Sequence, residues 1–164
     1  MNWHDWVTLV IMVTVIVVQT IRGSKAAAGL PMFEAAGGVV AAAAATAFSP
    51  GLAGMIHVSE YTVTFVLFIA FLAVAFLVAH WLFAMTGLSF QSLDGVFSLF
   101  FGLVLAWAVA HMFLRIMIGS AEGESAQAIA NSPVAGEVFR FRNWNALLRL
   151  LFKAKASDID PDLG

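Results

Sequence analysis

The sequence predicts an all-α integral membrane protein with about four membrane-embedded helices and a C-terminal amphipathic helix. Hydrophobic residues make up 62% of its 164 residues and charged residues only 11%, whereas soluble domains carry roughly 45–50% apolar and about 25% charged residues. A chain of this length has too much surface to bury such an excess in water. This composition excludes an ordinary soluble enzyme and a nucleic-acid-binding protein, and it makes the lipid bilayer the first expected partner.

Four stretches are candidates for membrane-embedded helices, because a spanning helix needs roughly 20 mostly apolar residues. They cover residues 6–21, 26–48, 61–85 and 94–118, within a membrane-embedded domain of residues 1–121. The second stretch is the weakest, because it contains Pro31, Glu34 and an alanine-rich run, and alanine inserts only marginally. A turn region is predicted to follow it, from Ser49-Pro50-Gly51 to Gly54. The sequence leaves open whether this second segment crosses the membrane or is re-entrant.

The fourth stretch carries a stripe of small residues on one face. Asp94 stands at the position of its N-cap, where a short acidic side chain is favoured. The small residues recur at spacings of three and four, which places them on one side of a helix. They are Gly95, Ser98, Gly102, Ala106 and Ala110. Membrane helices pack through such stripes, so we expect this face to meet the alanine- and glycine-rich second helix.

Residues 122–154 form a predicted amphipathic segment, with Ser132-Pro133 as the expected start of its helix. A basic face and an interfacial tryptophan mark this segment as a membrane-surface or partner-binding element. Its residues are Arg142, Trp144, Arg149 and Lys153. A basic amphipathic helix commonly lies in the membrane interface, and docking on another protein is the alternative. Residues 155–164 are predicted to be a disordered acidic tail.

The distribution of basic residues predicts a cytoplasmic C-terminus, because cytoplasmic loops are enriched in Lys and Arg. Five of the eight basic residues follow Gly123. Four crossings would place the N-terminus in the cytoplasm too and leave Arg22 and Lys25 outside. Three crossings with a re-entrant second segment would place every basic residue on the cytoplasmic side, so the side of the N-terminus stays open.

Glu34 is the leading candidate for chemistry, because an ionisable group at membrane depth is a functional hypothesis by default. It could form part of an ion or proton pathway, with His80 or His111 as its partner. The alternative is a structural one, in which Glu34 lies near the interface and pairs with Arg22 or Lys25.

No other constellation predicts catalysis or a cofactor. The chain has no cysteine, which excludes thiolate metal sites and cysteine nucleophiles. Phosphate-binding loops and the common hydrolase and metalloprotease motifs are absent from the sequence. His57 and Glu60 have helical spacing but too few companions for a metal site. We therefore expect a protein that is not an enzyme, with no cofactor and no metal.

Several short motifs resemble those of the colicin V production protein (CvpA) family of bacterial inner-membrane proteins. They lie at the start of the chain, at the end of the first apolar stretch, and in and before the fourth. They read Asn2-Trp3-His4-Asp5, Ile21-Arg22-Gly23, Thr86-Gly87-Leu88-Ser89, Asp94 and Phe101-Gly102. A serine-containing stretch and an amphipathic segment follow, as in the family. The chain departs from the family pattern at Ala27, where members carry Glu, and at Leu105-Ala106, where they often carry Arg-Gly.

The resemblance implies a divergent family member that is a multi-pass protein of the bacterial inner membrane. It would be linked to colicin V production or export and to envelope homeostasis. The first functional hypothesis is therefore an accessory or scaffold subunit, whose partners are other membrane-protein subunits or further copies of this chain. The second hypothesis is a small oligomeric transporter or ion pathway that uses Glu34.

Overall fold

The structure is a computed structural model that describes residues 2–120, 127–129 and 131–140. The described residues form helices joined by short loops. Their bounds are α1 Trp3–Ala26, α2 Gly29–Ile56, α3 Glu60–Thr86, a single 3₁₀ turn Gln91–Leu93, α4 Asp94–Ser120 and α5 Ala135–Arg140. The predicted all-α fold is therefore confirmed.

The four long helices alternate in direction, because short connections join each one to the next. The start of α1 and the end of α4 therefore lie together at one end of the bundle, here called the Asp5 end. The end of α1 and the starts of α2 and α4 lie at the other, here called the Glu34 end. At the Glu34 end, Gly87 ends α3 in the left-handed conformation, with φ of 56°, and its N–H donates to Phe83 O at 2.8 Å.

Each long helix is long and apolar enough to cross a membrane. The shortest has 24 residues and the longest 28, which corresponds to roughly 36–42 Å against a hydrocarbon core of about 30 Å. Helix α2 is continuous over its whole length, so its form is that of a crossing helix and not that of a half-membrane segment. Four crossings put both ends of the bundle domain on one side.

The turn predicted at residues 49–54 is wrong, because α2 continues to Ile56 with Pro50 inside it. Proline has no N–H, so it leaves the carbonyl four residues earlier without its helical partner. That carbonyl belongs to Thr46, and the hydroxyl of Ser49 donates to it at 3.4 Å. Side-chain hydroxyls commonly satisfy freed backbone groups in this way inside membranes.

The small-residue stripe of α4 packs against α1, so the prediction that it faces α2 is wrong. A Cβ on Gly102 would come within 3.0 Å of Gln19 Cβ and 3.4 Å of the Ile16 backbone. Further along the stripe, Ala106 and Ala110 are buried in one cluster with Met12 of α1. Small side chains let these two backbones approach closely, and the close approach gives van der Waals packing in place of a hydrophobic drive.

The small residues of α2 serve two other contacts. Gly37 lies against Ala75 of α3, where an added Cβ would come within 2.9 Å of the alanine Cβ. On a neighbouring face, Ala41 and Ala45 are buried together with Phe68 of α3 and Met112 of α4. Helix α2 therefore fills the space between α3 and α4, which explains why its side chains are so small.

Helix α5 returns the chain to the bundle after α4 has ended. Its Val138 is buried with Met12 of α1 and Leu114 of α4. The indole N–H of Trp107, the middle residue of α4, donates to Val138 O at 3.2 Å. The helix begins at Ala135, two residues after the predicted start at Pro133, which is an ordinary difference in helix boundaries.

The basic and interfacial residues predicted beyond α5 lie outside the described residues, as does the predicted acidic tail. They are Arg142, Trp144, Arg149 and Lys153. The described start of the amphipathic segment packs on the bundle itself.

Gly102→Leu should destabilise the protein by about 2 kcal/mol, because overpacking a tight contact costs roughly 1–3 kcal/mol. The bulky side chain would force α4 away from the Ile16 backbone. Unfolding of the purified protein in detergent measures the change. Gly54→Leu is the matched control, since a Cβ there meets nothing within 4 Å. Equal stability of the two variants would contradict the assigned packing face.

Single cysteines should map the crossings, because the chain has no native cysteine. Asn2→Cys and Val58→Cys should react with an impermeant thiol reagent from one side of the membrane, and Gln91→Cys from the other. All three positions are exposed in the structure. Labelling of positions 58 and 91 from the same side would show that α3 does not cross.

Candidate functional site

Glu34 is fully buried in the second turn of α2, on the side that faces α1. It lies five residues after the start of the helix, or about 7.5 Å along its axis. The carboxylate is therefore near the Glu34 end of the bundle and not at the middle of the membrane.

Two side chains of α1 hold this carboxylate. Arg22 donates from Nη1 to Oε2 at 3.1 Å and from Nη2 to Oε1 at 3.0 Å. Gln19 donates from Nε2 to Oε2 at 2.5 Å. Residues three apart on a helix share a face, so α1 presents both donors together. A two-point guanidinium pair is the strongest of the common carboxylate contacts, and it matches the structural alternative in which Glu34 pairs with Arg22.

His80 of α3 joins the same cluster at its outer edge. Its Nδ1 lies 2.9 Å from Phe76 O and 3.8 Å from Glu34 Oε1. Its Nε2 lies 3.4 Å from Arg22 Nη2. Because Phe76 O can only accept, Nδ1 carries a proton, and Nε2 then accepts from Arg22 in the neutral ring. The side chain of His80 is 55% exposed, so it connects the buried pair to the surroundings of the bundle.

The structure does not bring His111 to this cluster. His111 lies towards the Asp5 end, with Nδ1 3.4 Å from Val138 O and its ring stacked on Phe139 at 5.4 Å. Of the two histidines named as possible partners of Glu34, only His80 is near it.

Gln19 is the member of the cluster that sequence reasoning missed. It is 3% exposed, and its Oε1 has no hydrogen-bond partner among the described residues. The signal was present, since Gln19 is the only amide side chain in the apolar stretch of residues 6–21. A buried amide in such a stretch needs a polar partner, and here that partner is Glu34.

Two further carboxylates join distant segments. Asp94 accepts from the backbone N–H of Phe90 at 2.8 Å and of Ala28 at 2.9 Å, and from the Ser89 hydroxyl at 2.6 Å. All three donors precede α4, and Asp94 is already the first residue of that helix, so the predicted N-cap role is wrong. Asp94 instead ties the α1–α2 loop and the α3–α4 loop to the start of α4.

Asp5 plays the corresponding part at the Asp5 end and is fully buried. It accepts from the N–H groups of Val134 and Ala135, both at 3.0 Å, and from the Ser132 hydroxyl. The backbone N–H of Asn2 donates to its second oxygen at 3.1 Å. Asp5 thereby caps α5 from another helix.

Metal binding has no support in the described part of the chain, where no group of three or more His, Asp or Glu side chains could hold an ion. His57 and Glu60 therefore belong to no such group.

Arg22→Gln should destabilise the protein by about 2 kcal/mol, because it leaves the buried Glu34 carboxylate without its countercharge. Removing one partner of a fully buried pair costs about 3–5 kcal/mol, and the partial exposure of Arg22, 36%, lowers that figure. Arg22→Gln/Glu34→Gln should recover at least half of the loss. Lys25→Gln is the control, since it removes the same charge from an exposed side chain. Unfolding in detergent that ranks Arg22→Gln equal to Lys25→Gln would refute the pairing.

Chemically, the Glu34 cluster is a charge-balanced group of a carboxylate, a guanidinium, an amide and an imidazole. It joins α1, α2 and α3, and only its Arg22 and His80 side reaches the surface. Comparisons of the chain with protein-family models, with curated proteins and with solved structures find no match.

Proposed function

We propose that the protein is an accessory or scaffold subunit of a larger membrane assembly and does not act as an enzyme. The observation that carries the proposal is the use made of the three buried or partly buried carboxylates Asp5, Glu34 and Asp94. Each accepts hydrogen bonds from other segments of this chain. These carboxylates hold the helices together through hydrogen bonds, which suits a protein whose role in the membrane is structural.

The resemblance to the CvpA family agrees with this proposal, since the residues that carry it occupy helix contacts. Arg22 pairs with Glu34, Gly23 lies against Ser98, and Gly102 lies against Ile16. The family would place the assembly in the bacterial inner membrane, with the C-terminus cytoplasmic and a link to colicin V production or export. The short motifs alone support that finer assignment.

The partner-binding element in this proposal is the basic segment that follows α5. Its charges Arg142, Arg149 and Lys153 return to one side at helical spacing. The bundle fixes the position of α5, which directly precedes this segment. Asp5 accepts from the N–H of Ala135, and Trp107 donates to Val138 O.

An ion or proton pathway is the second candidate function, and one observation favours it. His80 lies 3.8 Å from Glu34 and is half exposed, so a group able to exchange protons connects the buried carboxylate to the surface. The buried Oε1 of Gln19, which has no hydrogen-bond partner within the described part of the chain, adds a further polar atom to the cluster. An oligomer would have to supply the rest of such a path.

One pair of variants separates the two functions. Under the scaffold proposal, replacing Arg142, Arg149 and Lys153 by Gln should lower recovery of co-purifying subunits at least five-fold in mild detergent. Glu34→Gln should leave that recovery within two-fold of the unchanged protein. The triple variant keeps every described contact of α5, so loss of recovery reports on binding.

The pathway proposal is measured in liposomes that contain the purified chain, an internal pH dye and an imposed pH gradient. Proton flux above that of empty liposomes, abolished in Glu34→Gln, would establish the pathway and overturn the purely structural role of Glu34. Flux equal to that of empty liposomes would contradict the pathway proposal. Unchanged recovery of co-purifying subunits with the triple variant would contradict the scaffold proposal.

A further inference from the structure

Helix α4 carries an apolar groove along its middle turns and, next to it at the Asp5 end, a polar recess. The recess encloses about 410 Å³ between the end of α4 and the start of α3, and Glu60, Tyr61, Thr64 and Arg115 contribute to its wall. The groove encloses about 450 Å³ between α4 and α2. Ala108 and His111 line the groove, and Arg115 follows them one turn later on the same face.

A cation and an anion, Arg115 and Glu60, line the same recess. Among the described residues, neither Arg115 nor Glu60 forms an ion pair. Close approach of the two helices makes this wall, since a Cβ on Gly119 would come within 3.1 Å of Tyr61 Cβ. Two unpaired opposite charges in one recess are complementary to a ligand that itself carries both signs.

The groove is apolar and lies within reach of one lipid chain. Its lining on α4 includes Val104, Ala108 and His111, and Val104 lies 11 residues, or about 16 Å, from Arg115. One leaflet of the hydrocarbon core is about 15 Å thick, so a chain that starts at Arg115 reaches this part of the groove. Arg115 lies five residues before the end of α4, which puts it near the depth where headgroups begin.

From this arrangement we infer a binding site for one phospholipid whose headgroup carries a phosphate and a primary ammonium, as in phosphatidylethanolamine. The Arg115 guanidinium donates to the phosphate oxygens, a contact for which its planar fork is suited. The ammonium donates to the Glu60 carboxylate, and one acyl chain lies in the groove over Ala108. The site is independent of the scaffold role proposed above.

Native mass spectrometry of the full chain in detergent tests the inference. Phosphatidylethanolamine, phosphatidylglycerol and phosphatidylcholine are added separately at equal concentration, and the fraction of lipid-bound protein is measured. Phosphatidylethanolamine should bind at least three-fold more than either of the others. Phosphatidylglycerol lacks the ammonium, and the quaternary ammonium of phosphatidylcholine has no N–H to donate.

Three variants assign the parts of the site. Arg115→Gln should lower binding of phosphatidylethanolamine and phosphatidylglycerol at least five-fold. Glu60→Gln should remove the preference between these two lipids. Ala108→Trp should lower binding of all three lipids by filling the groove. Ala108→Leu fills less of the groove and should give a smaller loss, and it replaces Ala108→Trp if the tryptophan variant does not fold. Lys25→Gln, at the other end of the bundle, should change nothing.

Equal binding of the three lipids by the unchanged protein would overturn the headgroup assignment. Unchanged binding in Arg115→Gln would show that the lipids only coat the bundle, which refutes the site. Unchanged binding in both folded Ala108 variants would show that the groove holds no acyl chain.

Discussion

A polar group in hydrocarbon must find its partner within the protein, and this constraint organises the whole bundle. Backbone groups meet it by forming helices. Each buried carboxylate meets it by accepting hydrogen bonds from a second segment, as Glu34 does from α1 and Asp94 from the α1–α2 loop. The groups that are most expensive to bury therefore become the points where helices are joined, while small residues let the helices approach between those points.

The pairing of Arg22 with Glu34 also bears on orientation. With four crossings, Arg22 and Lys25 lie at the end of the bundle opposite α5, after which most basic residues follow in the sequence. This placement conflicts with the rule that positive charges stay in the cytoplasm. Glu34 neutralises Arg22, so that among the described Lys and Arg residues at that end only Lys25 is without an ion pair. The charge pattern is then compatible with four crossings and a cytoplasmic C-terminus.

Hydropathy was sufficient to predict four helices and their approximate extents, because the bilayer imposes length and polarity on each segment separately. The glycine and alanine stripe of α4 was also visible, but its partner was not. Both α1 and α2 could pack against a face of small residues. Which of them does so depends on the contact between Gly102 and the Ile16 backbone, which only the three-dimensional structure shows. Pro50 was misread for a local reason, since its freed carbonyl is satisfied by the adjacent Ser49.

The site was predictable in part. Glu34 and its possible pairing with Arg22 follow from charge and proximity along the chain, whereas His80 lies 46 residues from Glu34 in sequence and could only be named as one of two histidines. The capping role of Asp5 could not be predicted, because apart from Asn2 its partners begin at Ser132, 127 residues later.

That separation between Asp5 and Ser132 has a consequence for biogenesis. A ribosome releases α1 long before it has made the segment that Asp5 caps, so Asp5 lacks its hydrogen-bond donors from that segment until at least 127 further residues have been added. Until then, the Asp5 carboxylate must lie at the surface of the bilayer, where water can supply the hydrogen bonds that Ser132, Val134 and Ala135 supply in the folded protein. The docking of α5 onto the bundle is therefore also the step that withdraws the Asp5 carboxylate from water.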